Sequence, residues 1–502
     1  MARQTARVPS LLRLPRTALA LAVVLALAGC GARAQWHDGA ARPTPTPPPV
    51  FVGWSDPAGV GRPYGSKVNG LLTFRGNPTR TYYGTGPAAR TLPTKLWQFP
   101  KDSDMCGLSH DERGYTTWCG NGWTGQPTVF ERDGRTWVVF GAYDFNVHFL
   151  DANTGERILP DFPTGDLVKG SSTVDPDGYP LVYVGSRDNN YRVIAIDGGK
   201  PRELWRLNAD DVHPTMFNND WDGASLVIDD YLFEGGENSQ FHIVKLNRGY
   251  DANGKVTVAP KLVFHAPGWD DDLLKGIGDN NVSIENSVAI YKDTVYFANS
   301  GGLVQGWDIS GLKDGVEPRR VFRYWTGDDT DATIAIDSEG MLYVGVEYVR
   351  HTARSEEVGQ MIKLDPSRPD PLVWKQYDKR PVLSGVLGSP ALYQDIAIFD
   401  TDYGDVIGLD RANGTERWRF HLPRTWASPV VVDGVLFIGD CTGHMSAYDV
   451  SDTHAAPTQL WTMKVAGCIE ATPAVWKGVL YFGARTGKEY AFAAPSPTNP
   501  PR

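Results

Sequence analysis

The 502-residue sequence has only five cysteines, and none is spaced Cys-x-x-Cys, sits beside another, or precedes a Cys-His pair. That excludes zinc ribbons, thioredoxin-type redox loops and c-type haem attachment. There is no Gly-x-Ser-x-Gly elbow, no His-Glu-x-x-His helix and no Walker loop, so hydrolase and nucleotide-binding readings have no foothold. Positive charge is also in short supply: 49 Lys and Arg against 59 Asp and Glu leave a net charge of -10. No basic stripe with interleaved aromatics occurs, which excludes nucleic acid as a partner. What is present is a chain 41% hydrophobic and 11% aromatic with 54 Gly and 36 Pro, the composition of a globular protein with a large core and many turns.

The one long apolar run is N-terminal. Arg3, Arg7, Arg13 and Arg16 precede "ALALAVVLALAGC", which has the charge, length and small-residue ending of a secretory signal and is short for a membrane span. Its ending, Leu27-Ala28-Gly29-Cys30, resembles the lipobox of bacterial lipoproteins. That resemblance implies a signal peptide over 1–29, cleavage before Cys30, lipidation of its thiol, and an exported protein held to a bacterial membrane by lipid. Residues 30–66 are rich in Pro and Gly and read as a tether, residues 67–495 as the folded body, and 496–502 as a tail. With Cys30 lipidated, Cys106, Cys119, Cys441 and Cys468 remain. In an oxidising compartment the short loop between Cys106 and Cys119 favours that pair, leaving Cys441 for Cys468; free thiols or a metal site are the alternatives.

From Lys95 onward the chain repeats one pattern: a first strand, a turn, a second strand, a Gly turn, a third strand, and usually a fourth carrying Trp or Phe. First strands begin at "TGQPTV", "KGSSTV", "DGASLV", "ENSVAI", "TDATIA", "LGSPAL", "WASPVV" and "EATPAV". A period of roughly 40 to 60 residues is that of propeller blades. The last unit stops after three strands, and "KLWQFP" near the start is a fourth strand without a blade. Donating Lys95–Phe99 to the last unit closes an all-β, eight-bladed β-propeller and protects its edges.

The segments "FLDANTGE", "LDRANGTERW" and "FRGNPTR" resemble the pyrroloquinoline quinone (PQQ) repeat family, whose repeat reads approximately Ala-x-Asp-x-x-Thr-Gly-x-x-x-Trp. The resemblance spans about residues 70 to 495, with several units keeping only the Asp, as at Asp197, Asp308, Asp365 and Asp449. It implies an eight-bladed propeller in which Trp205, Trp374, Trp418 and Trp461 dock one blade on the next.

Where the first strands converge on the axis, the residue before the Ser-Pro-like pair is expected to be small, and Gly125, Gly170, Gly223, Gly388, Ala427 and Ala471 are; Asn286 and Asp331 are not. One residue earlier the expected ring is Thr124, Lys169, Asp222, Glu285, Thr330, Leu387, Trp426 and Glu470. Asp222, Glu285, Asn286 and Asp331 thus form a candidate calcium site of oxygen ligands at one mouth of the channel, or a solvated acidic rim. Asp144, Asp188, Glu237, Glu347, Asp402 and Asp440, in turns expected on the same face, add to its acidity.

Two relatives of this fold imply different functions. Quinone-dependent alcohol dehydrogenases place calcium, PQQ and a catalytic Asp in such a funnel; by resemblance Asp222 is the base, with Glu285, Asn286 and Asp331 near the metal. They commonly carry an adjacent-cysteine disulfide, and often a haem domain, both lacking here. The propeller lipoproteins of the outer-membrane β-barrel assembly machine act as scaffolds, and share the anchor and architecture. The expected function is therefore a lipid-anchored, monomeric binding or scaffold propeller at the envelope, with an envelope protein as partner and a structural cation as a candidate; a PQQ- and calcium-dependent dehydrogenase is the enzyme alternative.

Overall fold

The computed structural model describes residues 51–65, 67–111, 114–122, 125–380, 382 and 384–494. The expected signal peptide, the expected lipidation site Cys30, the first part of the expected tether, and the tail lie outside the described residues.

Eight antiparallel sheets form the eight blades of a propeller. The sixth shows the standard unit: Ala391–Tyr393 pairs with Ile396–Asp400, which pairs with Asp405–Asp410, which pairs with Glu416–His421. The first hairpin is a two-residue turn in six blades, where the turn takes a left-handed residue, Gln394 in this blade and Asp433 followed by Gly434 in the next; in the second and fifth blades the connection is longer. The alternation of side chains buries both faces of each sheet against its neighbours, so second and third strands read as continuous apolar runs, such as Leu181–Ser186, buried at every residue.

The ring closes as the sequence predicts. Thr94–Phe99 is the outer strand of the eighth blade, antiparallel to Lys488–Ala493. Trp97 then docks on the first blade: its indole Nε1 donates to Ala152 O at 2.9 Å, and its ring lies over Gly155. A Cβ at Gly155 would stand 2.7 Å from that ring, and its φ of 69° is left-handed, so the Thr-Gly turn of the repeat is required on both counts. Trp374 repeats the contact on Gly414 and Arg411 O, and Trp461 donates to Ala89 O. Trp374, Trp418 and Trp461 are buried, and Trp205 is half-buried. Both expected disulfides, Cys106–Cys119 and Cys441–Cys468, are formed.

The folded body takes in residues before 67, the expected end of the tether. Trp54 is buried edge-on against Tyr231 and Phe233, and Tyr64 Oη donates to Val227 O. Among the described residues no helix is long and apolar enough to cross a membrane.

Candidate functional site

The propeller has two different ends, and the segment "FRGNPTR" makes them so. Residues 70–85 leave the first blade, where Gly70–Leu71 pairs with Thr128–Arg132, and reach the eighth, where Gly84–Thr85 lies parallel to Ala474–Trp476. Between them Arg75 and Arg80 are fully buried on the axis. Arg75 donates to Pro390 O at 2.8 Å and Pro429 O at 3.2 Å; Arg80 donates to Ala224 O at 2.7 Å and Val288 O at 2.8 Å. Thr73 bonds Thr173, Ile336 N donates to Thr79 O, and Gln126 joins Arg75 N to Pro473 O, so the segment is tied to all eight blades. Burial lowers the Arg80 pKa to about 10, still well above neutrality. One end of the channel is thus plugged by a hydrogen-bonded arginine pair, and the other opens as a mouth.

At the mouth the first strands start on a girdle of hydroxyl bonds between blades. Ser171 Oγ accepts from Gln126 N, Ser287 Oγ from Ala224 N, Thr333 Oγ1 from Ser287 N, Ser389 Oγ from Thr333 N and Ser428 Oγ from Ser389 N, at 2.7 to 3.0 Å. The small residues before it leave room for the neighbouring blade: a Cβ on Gly170 would meet Asp222 O at 2.5 Å, and one on Gly223 would meet Asn286 O at 2.9 Å. The girdle also corrects the expected alignment in the fifth blade. Thr333 is the equivalent of Ser287 and Ser389, so Asp331 rather than Thr330 occupies the ring position, and Ala332 is the small residue. Asn286 alone departs from small size at its level among the described residues. Its side chain is built into the wall, donating to Thr330 O at 2.9 Å and accepting from Ala298 N at 3.2 Å.

With the register corrected, the third and fifth blades carry the same three acids. Leu226 pairs with Phe233 as Ala335 pairs with Tyr343, which superposes Asp220, Asp222 and Glu237 on Asp329, Asp331 and Glu347. In each set one oxygen per carboxylate lies within 4.8 Å of the others. The signature is Asp-x-Asp before the first strand and Glu two residues beyond the glycine ending the second, a pattern present in the sequence but obscured by the one-residue slip.

The two sets differ in what faces them. Lys169, the ring residue of the second blade, reaches the third blade's set, with Nζ 2.7 Å from Asp222, 2.8 Å from Asp220 and 2.9 Å from Glu237. Burial works against the ammonium, but the three carboxylates override it and hold its pKa well above the ordinary lysine value. The ring residue facing the fifth blade's set is another acid, Glu285, held by Ser283 Oγ at 2.6 Å, while Ser300 Oγ donates to Asp331 at 2.9 Å. The nearest cation there is Arg350, 3.6 Å from Asp329. Burial first, and then the adjoining carboxylates, push Glu285, Asp329, Asp331 and Glu347 well above the usual carboxylate range. Asp220, Asp222 and Glu237 are buried, whereas Glu285, Asp329 and Glu347 keep partial exposure at the mouth.

The other turn acids expected at the mouth are taken up locally. Asp144 bonds His148, Asp188 pairs with Arg192, Asp402 with Arg424, and Asp440 accepts from the backbone of Thr442 in its own turn. Asp222 engaged by Lys169 and Asn286 engaged by backbone differ from the donor set that the dehydrogenase resemblance implies, and no step through a quinone follows from them.

Residues 359–495 match the family model described as outer membrane protein assembly factor BamB. The chain is a PQQ-like repeat β-propeller. Among solved structures, this propeller is similar to the computationally designed Ika8 protein, with a TM-score of 0.50 and 15% identity over 73% of this chain and 95% of that one. BamB from Moraxella catarrhalis aligns with a TM-score of 0.39 and 15% identity, over 80% of this chain and 100% of that one. No curated protein matches the sequence.

Proposed function

We propose that this propeller is a lipid-anchored binding or scaffold protein of the bacterial envelope, docking an envelope protein on its mouth face. The observation that carries the reading is a group of large apolar side chains left in solvent around the mouth. Exposed apolar residues also occur elsewhere, as at Val52, Tyr250 and Val316, but Leu108, Tyr115, Phe217, Val349, Tyr377 and Tyr403, 41% to 74% exposed, gather on the hairpin and turns at this end. Leu108 and Tyr115 stand on a hairpin, Cys106–Asp111 and Gly114–Cys119, closed by its own disulfide. A covalently fixed hairpin offers apolar area to a partner at little cost in ordering entropy.

The lipobox-like Leu27-Ala28-Gly29-Cys30 of the sequence and the partial match to the BamB model support the envelope setting. Photo-crosslinkers at Leu108 and Tyr115, in cells, test the docking; the expected result is one discrete envelope-protein adduct, absent when the crosslinker is moved to the outer-strand position Val263. Labelling with a fatty-acid analogue, lost in Cys30→Ala, tests the anchor. Quinone-dependent dye reduction by the purified protein, or no adduct from either hairpin position, would overturn the reading.

A further inference from the structure

The duplicated acid set supplies its own comparison. In the third blade, Asp220, Asp222 and Glu237 close around an ammonium that the preceding blade provides, Lys169 Nζ. In the fifth blade the same three positions, Asp329, Asp331 and Glu347, again bring one oxygen each within 4.8 Å of the others, but the preceding blade provides the carboxylate of Glu285. The first set is sealed, whereas Glu285, Asp329 and Glu347 of the second keep partial exposure at the mouth.

We propose that the set formed by Glu285, Asp329, Asp331 and Glu347 receives a lysine side chain of the docked partner, which takes the place that Lys169 Nζ holds in the sister set. The proposal rests on the scaffold reading and names what the partner must present: a lysine within an otherwise apolar segment. The rim supplies the apolar complement, with Val349 two residues beyond Glu347 and Tyr403 on the adjoining turn. Arg350, the cation already near, cannot fill the role, because its guanidinium is spent on Asn281 O, Ser300 O and Asp279. Charge balance points the same way. Lys169, with Arg187 3.9 Å from Asp220, sets two cations against three acids, whereas among the described residues Arg350 is the one cation within 4 Å of the four acids of the fifth-blade set, Lys169 acting on Glu285 from farther off. A buried carboxylate group of that kind gains most from a cation that brings its own hydrogen-bond donors, as an ammonium does.

The sister set also dictates the decisive variant. Glu285→Lys places an ammonium in the ring position that Lys169 occupies one repeat pair earlier, so it should fill the fifth-blade set from within. The probe is pentalysine peptide, with pentaacetyl-lysine as the uncharged control, titrated by calorimetry into the purified protein at fixed ionic strength. We expect pentalysine to bind the wild type and Glu416→Gln alike, at least tenfold more weakly to Glu347→Gln, and not to Glu285→Lys, whose midpoint of thermal unfolding should rise. Equal binding to wild type and Glu285→Lys would overturn the proposal. So would calcium binding at the same four residues that pentalysine cannot displace, which would make them a metal site. In cells, a crosslinked adduct at Leu108 that persists undiminished in Glu285→Lys would sink the lysine proposal and leave the scaffold reading standing; loss of the adduct in that variant alone supports both.

Discussion

Lys169 Nζ lies 2.7 Å from Asp222, across the boundary between the second and third blades, so a residue of one repeat is the counter-ion of the next. The pair is part of the blade interface and not a surface decoration.

Removing that ammonium leaves three carboxylates buried together with Arg187, 3.9 Å from Asp220, as their remaining cation within 4 Å among the described residues. Lys169→Met is expected to destabilise the protein by about 3–5 kcal/mol at pH 7, measured by chemical unfolding. Part of the loss should be recovered on acidification, as the carboxyls protonate, and an undiminished loss at pH 5 would contradict the electrostatic cause.

The arginine plug makes an equally specific claim. Arg80 donates to Ala224 O, Val288 O and Phe74 O, so Arg80→Met strands several buried carbonyls at once. A loss of at least about 3 kcal/mol is expected, since each orphaned buried group costs about 1–3 kcal/mol. Amide exchange should rise at the ends of the first strands that Arg80 joins, while outer strands such as Glu416–His421 stay as in wild type.

Closure of the ring depends on Trp97. Trp97→Ala removes a buried indole docked on Gly155 and should cost about 3–5 kcal/mol. Limited proteolysis should then cut first within residues 86–93, ahead of the closing strand; unchanged proteolysis would mean the strand is held by its ladder alone.

His148 gives the pH dependence. It is fully buried, with Nε2 3.1 Å from Asp144 and Nδ1 3.0 Å from Asp161. Burial opposes its charge, but the two carboxylates outweigh burial and raise its pKa above 6.5. A folded-state pKa above the unfolded one means the stabilisation is complete below pH 6.5 and is lost as pH rises through the folded value. Unfolding midpoints should therefore fall as pH rises above 6.5 in the wild type, and fall less in His148→Gln.

Much of this was legible in the sequence because it is local. Strand alternation, Asp-Gly and Asn-Gly turns, and the Asp-x-x-Thr-Gly motif recur within single blades, so the blade count, the donated strand, read as Lys95–Phe99 and observed over Thr94–Phe99, and the two cysteine pairs could be read without coordinates. The acidity of the mouth was equally visible, since ring residues follow from the repeat register.

Which side chain faces which was decided only by the closed ring. Lys169 looks like one more ring residue until the rotation between blades carries it onto Asp220, Asp222 and Glu237. Arg75 and Arg80 look like surface arginines of an irregular segment until that segment crosses the axis and meets carbonyls of four blades more than 140 residues away. Asp331 was misplaced by one residue because a first strand as short as Ala335–Ile336 leaves little pattern to align, and the hydroxyl girdle that fixes its register is an interaction between blades. The repeat thus determined the blades and their number, while the packing of blades around one axis decided which charges meet, because those contacts join residues far apart in the chain.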